Sequence, residues 1–557
     1  RLVLRRDSED ERDNTARLLF FTPTDSALTD FLPIIDHFGL RVLGETTTPV
    51  VDSAGGRAYF ESYRIDLSAD QGATLMEHGP ALLEAVAAVL DGYMNSSSLN
   101  RLLLPARLGW RQLQVLRAYI GYARQLGVAF PPNVVQQVLH DQHNVARTLV
   151  DLFDARFAPH FAGSEGDLVS AQDPRRTAPL QEVSRRFAAQ LEDVNDAVED
   201  KILRIFHNLI CATIRTNFFQ ATATDRALSF KFRCSDVELM RDPRPMFEIF
   251  VYDPRVEGVH LRGGPVARGG LRWSDRLDDY RTEILDLMLT QMVKNTLIVP
   301  VGSKGGFVIK VAERDEMARR RLADQLYKVF VTGLLDVTDN IVDGRNVFPE
   351  GVVVWDEPDP YLVVAADKGT AHLSDTANGL SLERGFWLGD AFASGGSQGF
   401  DHKRYGITAR GAWVCVQRLF RELALDTQHD PISAVGIGDM SGDVFGNGML
   451  LTKTLLLKGA FNHRHIFLDP DPAALTSFAE RKRLFELPRS GWNDYDKSLI
   501  SKGGGVFERS AKKITLSHES RDMLGIDREE VSGEELVRML LSLDVHLLWN
   551  GGIGTYV

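Results

Sequence analysis

Between Thr15 and Leu67 the apolar positions change period more than once. Arg17-Leu-Leu-Phe-Phe21 reads as a strand; Leu28, Phe31, Leu32 and Ile35 then recur at helical spacing behind Asp25, a residue type that caps helix N-termini. Leu40-Arg-Val-Leu43 and the alternating stretch Ala58–Leu67 predict two further strands. This order predicts a small α+β module over residues 1–67. Residues 68–225 carry helical periodicity instead. Leu113, Leu116, Ile120 and Ala123 make one apolar stripe and Val145, Leu149, Leu152 and Phe153 another, so this region is expected to be a helical scaffold. Within it Gly163–Pro179, rich in Gly, Ser, Asp and Pro, predicts a loop, and a helix follows through Ile210.

From Ala227 the pattern turns to strands. Leu228–Phe232, Phe247–Tyr252, Gly258–Arg262, Val352–Trp355 and Leu362–Ala365 alternate or run apolar, with helix-like stretches between them. Strands interleaved with helices predict an α/β domain, placed at residues 226–405. A second α/β unit is expected over 406–557. It opens with a helix at Ile407–Glu422 and a buried strand run at Ile432–Gly438 that ends in glycines. A glycine-rich turn, a helix over Met449–Leu457 and a second strand at His465–Asp469, ending in an acid, follow. The overall expectation is a multidomain α/β chain ending in a dinucleotide-binding domain of Rossmann type.

Composition narrows the class. The chain has 557 residues, too many for one core, with 44% hydrophobic and 25% charged residues. A net charge of −12 disfavours a general nucleic-acid binder. No run reaches the roughly 18 apolar residues of a membrane-spanning helix, so neither nucleic acid nor membrane is expected as a partner. Cys211, Cys234 and Cys415 form no C-x-x-C, which suits a reduced, cytoplasmic setting. The first residue is Arg1, and the chain reads as a piece of a longer protein with its last domain C-terminally incomplete. No metal site is suggested, since the histidines do not cluster at ligand spacing.

Two segments carry candidate chemistry. Ala267-Arg-Gly-Gly-Leu-Arg-Trp-Ser274, a helix-like run to Lys294 and Pro300-Val-Gly-Ser-Lys-Gly-Gly306 place Arg268, Lys294 and Lys304 close together in sequence. Cations beside Gly269, Gly270, Gly305 and Gly306 suit a carboxylate ligand approached by backbone. Glu283 and Lys294 are eleven residues apart, about three helical turns, and share a face. The second segment is Gly436-Ile-Gly438-Asp-Met-Ser-Gly442-Asp443, a turn between strand and helix. Its glycines permit a tight turn beside a pyrophosphate, with Asp439, Met440, Ser441, Gly442 and Asp443 along it. The spacing is one residue longer than the usual fingerprint, and two acids sit beside the expected phosphate. Asp469, at the end of the second strand, is placed to accept the ribose 2′-OH of NAD and to repel the 2′-phosphate of NADP.

These motifs resemble those of the large NAD-specific glutamate dehydrogenases of bacteria. The resemblance runs along nearly the whole chain and is most specific at 262–310, 362–370 and 395–449. It implies that residues 1–67 form an ACT-like regulatory module, a place for an amino-acid effector. It implies that Lys304 is the catalytic lysine and that Asp367, in Val364-Ala-Ala-Asp-Lys-Gly-Thr370, is the catalytic aspartate. Arg268, Gly269, Gly270, Gln291 and Lys294 become substrate-binding residues, with Arg268 standing where the family has lysine. Gly395-Gly-Ser397 and Ile407-Thr-Ala-Arg-Gly411 match segments that precede the cofactor fold, and Thr408 matches the threonine at the nicotinamide amide. The implied activity is oxidative deamination of L-glutamate to 2-oxoglutarate and ammonium, with NAD as cofactor, in a homo-oligomer. A dehydrogenase for another L-amino acid and a non-catalytic amino-acid sensor are the competing readings.

Overall fold

Backbone hydrogen bonds sort the strands into sheets of four, eight and five members and two two-stranded pairs. A computed structural model of the chain describes all residues except 1, 7–9, 11–13, 23–27, 52–56, 68–70, 160–170, 221–226, 295–298, 368, 371, 400–401, 489 and 552–557; the side chains of 28–30, 71–73 and 294 also lie outside the described set. The chain divides into two compact units, Arg1–Gln398 and Gly399–Val557.

The first unit begins with β1 (Leu2–Arg5), β2 (Thr15–Thr22), α1 (Leu28–His37), β3 (Arg41–Val51), β4 (Arg57–Asp66) and α2 (Gln71–Leu90). The four strands form an antiparallel sheet in the order β1-β2-β4-β3. Ala16, Leu18 and Phe20 alternate inward from β2 against Phe31 and Ile35 of α1, as the sequence pattern requires. Asp25, the expected cap, lies outside the described residues. Strand β3 runs eight residues past the expected Leu43, because its outer half is exposed and carries no apolar alternation to read.

Five helices follow: α3 (Trp110–Gln125), α4 (Pro132–Asp141), α5 (His143–Phe157), α6 (Pro174–Glu192) and α7 (Ala197–Ala212). The expected loop over 163–179 is overturned from Pro174 onward. Asp173 accepts a hydrogen bond from the Arg175 N–H at 2.9 Å and Pro174 takes the first helical position, so the Pro-containing stretch starts a helix.

The eight-stranded sheet is built from β5 (Thr213–Thr216), β6 (Leu228–Arg233), β7 (Phe247–Tyr252), β8 (Val256–Arg262) and β9 (Ala267–Trp273). After α8 (Tyr280–Lys294) come β10 (Val301–Ile309), α9 (Glu316–Leu335), β11 (Val363–Ala366), α10 (Ser374–Glu383) and β12 (Ala393–Ser394). Its order is β12-β11-β9-β10-β8-β7-β6-β5. Strands β9 to β12 run parallel, and β10 meets β8 antiparallel. Both glycine-rich segments therefore lie inside central strands. Val352–Trp355 forms no strand.

One face of this sheet holds a fully buried ion network. Arg215 pairs with Asp339 at 2.5 Å and Asp356 at 2.6 Å; Lys231 pairs with Asp356 and with Asp359 at 2.7 Å; Arg262 grips Asp359. Arg262 also donates to the Tyr361 carbonyl at 3.0 Å, two residues before β11 begins. Three cations and three carboxylates leave no net charge. Burial alone would raise the Asp359 carboxyl; the Arg262 and Lys231 charges outweigh it and hold the group far below the ordinary carboxylate range. That contribution to stability is present above the unfolded carboxyl pKa and is lost as pH falls through the depressed value. Asp359→Ala leaves Arg262 without its carboxylate and the buried network with one excess positive charge, and we expect it to lower the unfolding free energy of the first unit by about 3–5 kcal/mol in urea denaturation. A loss below about 1 kcal/mol would match an exposed ion pair and contradict the assignment.

The second unit contains α11 (Ile407–Glu422), β13 (Ile432–Ile437), α12 (Asp443–Gly448), β14 (Leu455–Phe461), β15 (His465–Leu468), α13 (Ala474–Glu486) and β16 (Gly505–Glu508). It continues with α14 (His518–Leu524), α15 (Gly533–Leu541) and β17 (Leu547–Asn550). The sheet order is β16-β15-β14-β13-β17, with β14, β13 and β17 parallel and β15 and β16 antiparallel to their neighbours. Two sequence expectations change here. The helix expected at Met449–Leu457 gives way to β14, whose Leu455, Leu457 and Ala460 are buried on a parallel strand. His465–Leu468 is the antiparallel return of a hairpin, so it is not the second strand of the βαβ unit.

Candidate active site

Register decides which side chains meet. Gly302 pairs with Arg268 and Gly306 with Arg272 across β10 and β9, while Ala365 pairs with Gly270 across β11 and β9. Side chains alternate along each strand, so Arg268, Gly270, Arg272, Lys304 and Asp367 share one face. Helix α8 lies on that face at very short range. A Cβ on Gly306 would stand 2.3 Å from Ile284 Cδ1, and one on Gly302 would stand 2.7 Å from the Met292 nitrogen. The glycines admit the protein's own helix, in addition to any ligand.

Lys304 stands level with Gly270, with β9 between it and β11. Because Gly270 has no side chain, Lys304 crosses β9 and its Nζ contacts Asp367 Oδ2 directly. A Cβ at position 270 would meet Asp367 Cβ at 3.2 Å and the Ala366 carbonyl at 3.1 Å. Asp367 follows β11 at its carboxyl end. Its turn is fixed by Thr370, whose N–H donates to the Asp367 carbonyl at 3.1 Å and whose hydroxyl donates to the Leu271 carbonyl at 2.7 Å.

The cluster has two further members that the motif comparison did not single out as site residues. Arg272 Nε donates to Asp367 Oδ2 at 3.0 Å, and Arg272 Nη1 to Glu283 Oε1 at 2.8 Å. Ser274 Oγ donates to Glu283 Oε2 at 2.6 Å. Arg272 lies four residues after Arg268, a strand spacing that returns to the same face, and Glu283 turns to it rather than to Lys294, with which it shares a helix face. Lys304 is 14% and Asp367 21% exposed, so a small ligand can reach both. Burial lowers the Lys304 amine from its ordinary value, with Arg272 adding to the effect and Asp367 opposing it. Burial would raise the Asp367 carboxyl, but Lys304 and Arg272 outweigh it and hold the group below the usual range.

Of the other expected substrate residues, Arg268 is exposed on this face, and Gly269 is buried against the Ser303 carbonyl. The Gln291 backbone packs on Gly302. Lys294 ends α8, and its side chain lies outside the described set. Asp375, outside the expected set, lies on α10 and accepts from the Ser397 N–H at 2.7 Å, a link to the Gly395-Gly-Ser397 segment.

In the second unit Gly436, Gly438, Asp439, Met440, Ser441, Gly442 and Asp443 form the connection from β13 to α12, at the carboxyl ends of the parallel strands. Gly438 has φ +139, and a Cβ there or on Gly436 would run into the Phe445 ring at 2.6 and 2.4 Å. These two glycines therefore serve the packing of α12 on β13. Met440 is buried in the core of this unit. A Cβ on Gly442 would meet only atoms of its own turn, which leaves that side of the loop open to a ligand. Thr408 is exposed in the first turn of α11. The segment just before that helix is tied to the glycine turn by Asn447, which donates to the Lys403 carbonyl at 2.8 Å and to Asp443 Oδ1 at 2.9 Å.

Asp469 does not occupy the place the sequence suggested. It follows the antiparallel β15, its N–H bonds to the Lys458 carbonyl, and it is 1% exposed. One carboxylate oxygen receives Ser501, and burial raises its pKa from the ordinary value. The residue beyond the carboxyl end of the second parallel strand is Asn462. Among the described residues no group of three His, Cys, Asp or Glu side chains could hold a metal ion, and no helix is long and apolar enough to cross a membrane.

As a class, this is a multidomain α/β protein with a lysine–aspartate centre in one unit and a dinucleotide-type turn in the other. Sequence comparison supplies the family. The catalytic-domain model of bacterial NAD-glutamate dehydrogenase matches residues 186–557, the ACT3 domain model of glutamate dehydrogenase residues 1–78, and its helical motif 3 model residues 94–159. The chain belongs to the bacterial NAD-glutamate dehydrogenase family. It is 48% identical to an NAD-specific glutamate dehydrogenase of Pseudomonas aeruginosa over 97% of this chain and 33% of that protein. The corresponding values for Mycobacterium tuberculosis are 47%, 99% and 35%. The chain thus spans about a third of the length of the curated relatives it matches. Among solved structures, glutamate dehydrogenase of Plasmodium falciparum overlays on 72% of this chain and 66% of its own at 14% identity, with a TM-score of 0.32.

The geometry makes Gly270 the gap through which Lys304 reaches its counterion. We expect Gly270→Val to separate the pair. Asp367 raises the Lys304 pKa, so its loss lets the amine deprotonate at still lower pH. Amine-specific labelling of Lys304 followed by mass spectrometry should then begin at lower pH in the variant. An unchanged labelling profile would show that the contact does not depend on Gly270.

Proposed function

We propose that the protein of which this chain is part catalyses NAD-dependent oxidative deamination of L-glutamate to 2-oxoglutarate and ammonium. The contact between Lys304 and Asp367 across Gly270, in a chain of this family, is the observation that carries the reading. NAD, when bound, supplies the hydride acceptor. The chain's own residues provide the acid–base work. Arg268, exposed on the shared face, is suited to a substrate carboxylate through the planar fork of its guanidinium. Asp367 accepts a proton from the substrate ammonium, leaving the neutral amine from which Cα can be oxidised. Lys304, with its pKa lowered, serves as the base that takes a proton from the water attacking the iminium carbon. Arg272 holds Asp367 in place and ties it to Glu283 on α8. The same reading includes a cytoplasmic homo-oligomer and an amino-acid effector at the N-terminal module.

The residues in the second unit fit a dinucleotide. The turn lies at the carboxyl ends of three parallel strands, the position at which nucleotides bind in α/β sheets, and its Gly442 side is open.

In the full-length protein Lys304→Ala is expected to lower turnover by about 10²–10⁴-fold while NAD affinity stays near the parent value. Rates within tenfold of the parent would remove Lys304 from this role. A pH profile tests its tuning. The base must be unprotonated, so kcat/KM should rise with pH through the Lys304 pKa. Arg272 lowers that pKa, so Arg272→Gln should move the acid limb to higher pH; a shift to lower pH would reverse the electrostatic assignment.

A further inference from the structure

The acid that the sequence offered for the adenosine ribose, Asp469, is buried on an antiparallel strand and held by Ser501, while Asn462 stands beyond the carboxyl end of the second parallel strand. The side chain of Asn462 is turned to structural use. Its Oδ1 accepts from the Arg464 and His465 N–H groups, both at 2.8 Å, and closes the β14–β15 hairpin. Its Nδ2 donates to Asp439 Oδ2 at 2.8 Å. Asp439 follows Gly438 at the end of β13, and its Oδ1 receives the Ser441 N–H at 3.1 Å and the Ser441 hydroxyl at 2.6 Å. A single carboxylate thus bridges the carboxyl ends of the first and second parallel strands. Among the described residues three donors hold it, and an ionised carboxylate has about four acceptor sites. One acceptor site therefore remains on a preoriented anion.

We propose that Asp439, positioned by Asn462 and Ser441, is the acid that accepts the adenosine ribose hydroxyl of NAD and excludes the 2′-phosphate of NADP. Selectivity then comes from the glycine turn after the first strand, with the end of the second strand supplying only the amide that aims it. A 2′-phosphate would bring roughly two negative charges against the Asp439 carboxylate, whereas a hydroxyl donates into its vacant acceptor site. The inference rests on the NAD dependence proposed above.

Direct binding of NAD and of NADP to the full-length protein, measured by isothermal titration calorimetry without substrate, tests it. Three variants are compared with the parent: Asp439→Ser, Asp439→Asn and Asp469→Ser. The two Asp439 variants should lower the ratio of the NADP to the NAD dissociation constant by about tenfold or more, chiefly by tightening NADP. Asp439→Asn keeps the size of the side chain and removes only its charge, which separates selectivity from the shape of the turn. Asp469→Ser should leave the ratio near that of the parent. A ratio unchanged in both Asp439 variants, a shift confined to Asp469→Ser, or an Asp439→Asn protein that binds neither nucleotide would overturn the proposal. A parent that prefers NADP would instead overturn the NAD dependence on which it rests.

Discussion

The meeting of Lys304 and Asp367 depends on the absence of one side chain. The two residues come from strands separated by β9, and Gly270 is the point at which that strand offers no obstacle. Every other feature of the cluster is arranged about this crossing. Arg272, two residues on and on the same face, reaches both Asp367 and Glu283. Helix α8 can bring Glu283 within reach only because Gly302 and Gly306 let it settle on β10. Glycine inside a strand costs roughly 0.5–1 kcal/mol relative to alanine, or about 2.5–5 kcal/mol for the five glycines of β9 and β10. Complete burial of Ile284 and Met288 from α8 contributes about 1.5–3 kcal/mol each, which offsets that cost to a first approximation.

Charge balance recurs on both faces of the same sheet, with opposite consequences. On one face Arg215, Lys231 and Arg262 meet Asp339, Asp356 and Asp359, all nearly sealed from solvent. Such a network tolerates no single change, and it fixes the chain just before β11 through the Tyr361 carbonyl. On the other face Arg272 and Lys304 meet Asp367 and Glu283, here two of each sign, but the lysine and aspartate keep some exposure. Rigid pairing behind the sheet places the strand that ends in Asp367, and looser pairing in front leaves its carboxylate open to exchange partners.

Much of this was legible in the sequence because the signals were local. The strand periods at Leu228–Phe232 and Phe247–Tyr252 match strands, and the glycine-flanked lysine and the aspartate after an apolar run are two residues that the structure brings into contact. What sequence could not show was pairing. Gly-Gly beside Arg268 reads equally as a turn or as a strand approached closely, and only the register of β9 with β10 decides. The same gap hid Arg272, whose partner Asp367 is 95 positions away. Leu455-Leu-Leu-Lys-Gly-Ala-Phe461 continues the apolar period of a short helix, and burial between β13 and β15 overrides it in favour of a strand.

That last substitution reaches further than secondary structure. Once β14 is the second parallel strand, the antiparallel β15 carries Asp469 back from the carboxyl edge of the sheet, level with Lys458. An acid there serves the fold by anchoring Ser501. The negative charge needed at the nucleotide edge must then come from a residue that stays on it, and the turn after β13 has two, Asp439 and Asp443. Asp443 is engaged with Asn447, which also donates to the Lys403 carbonyl in the segment before α11. Asp439 faces the end of β14. The extra residue that lengthens the glycine turn past the usual spacing gives the chain room to turn one carboxylate towards the second strand and the other into the helix.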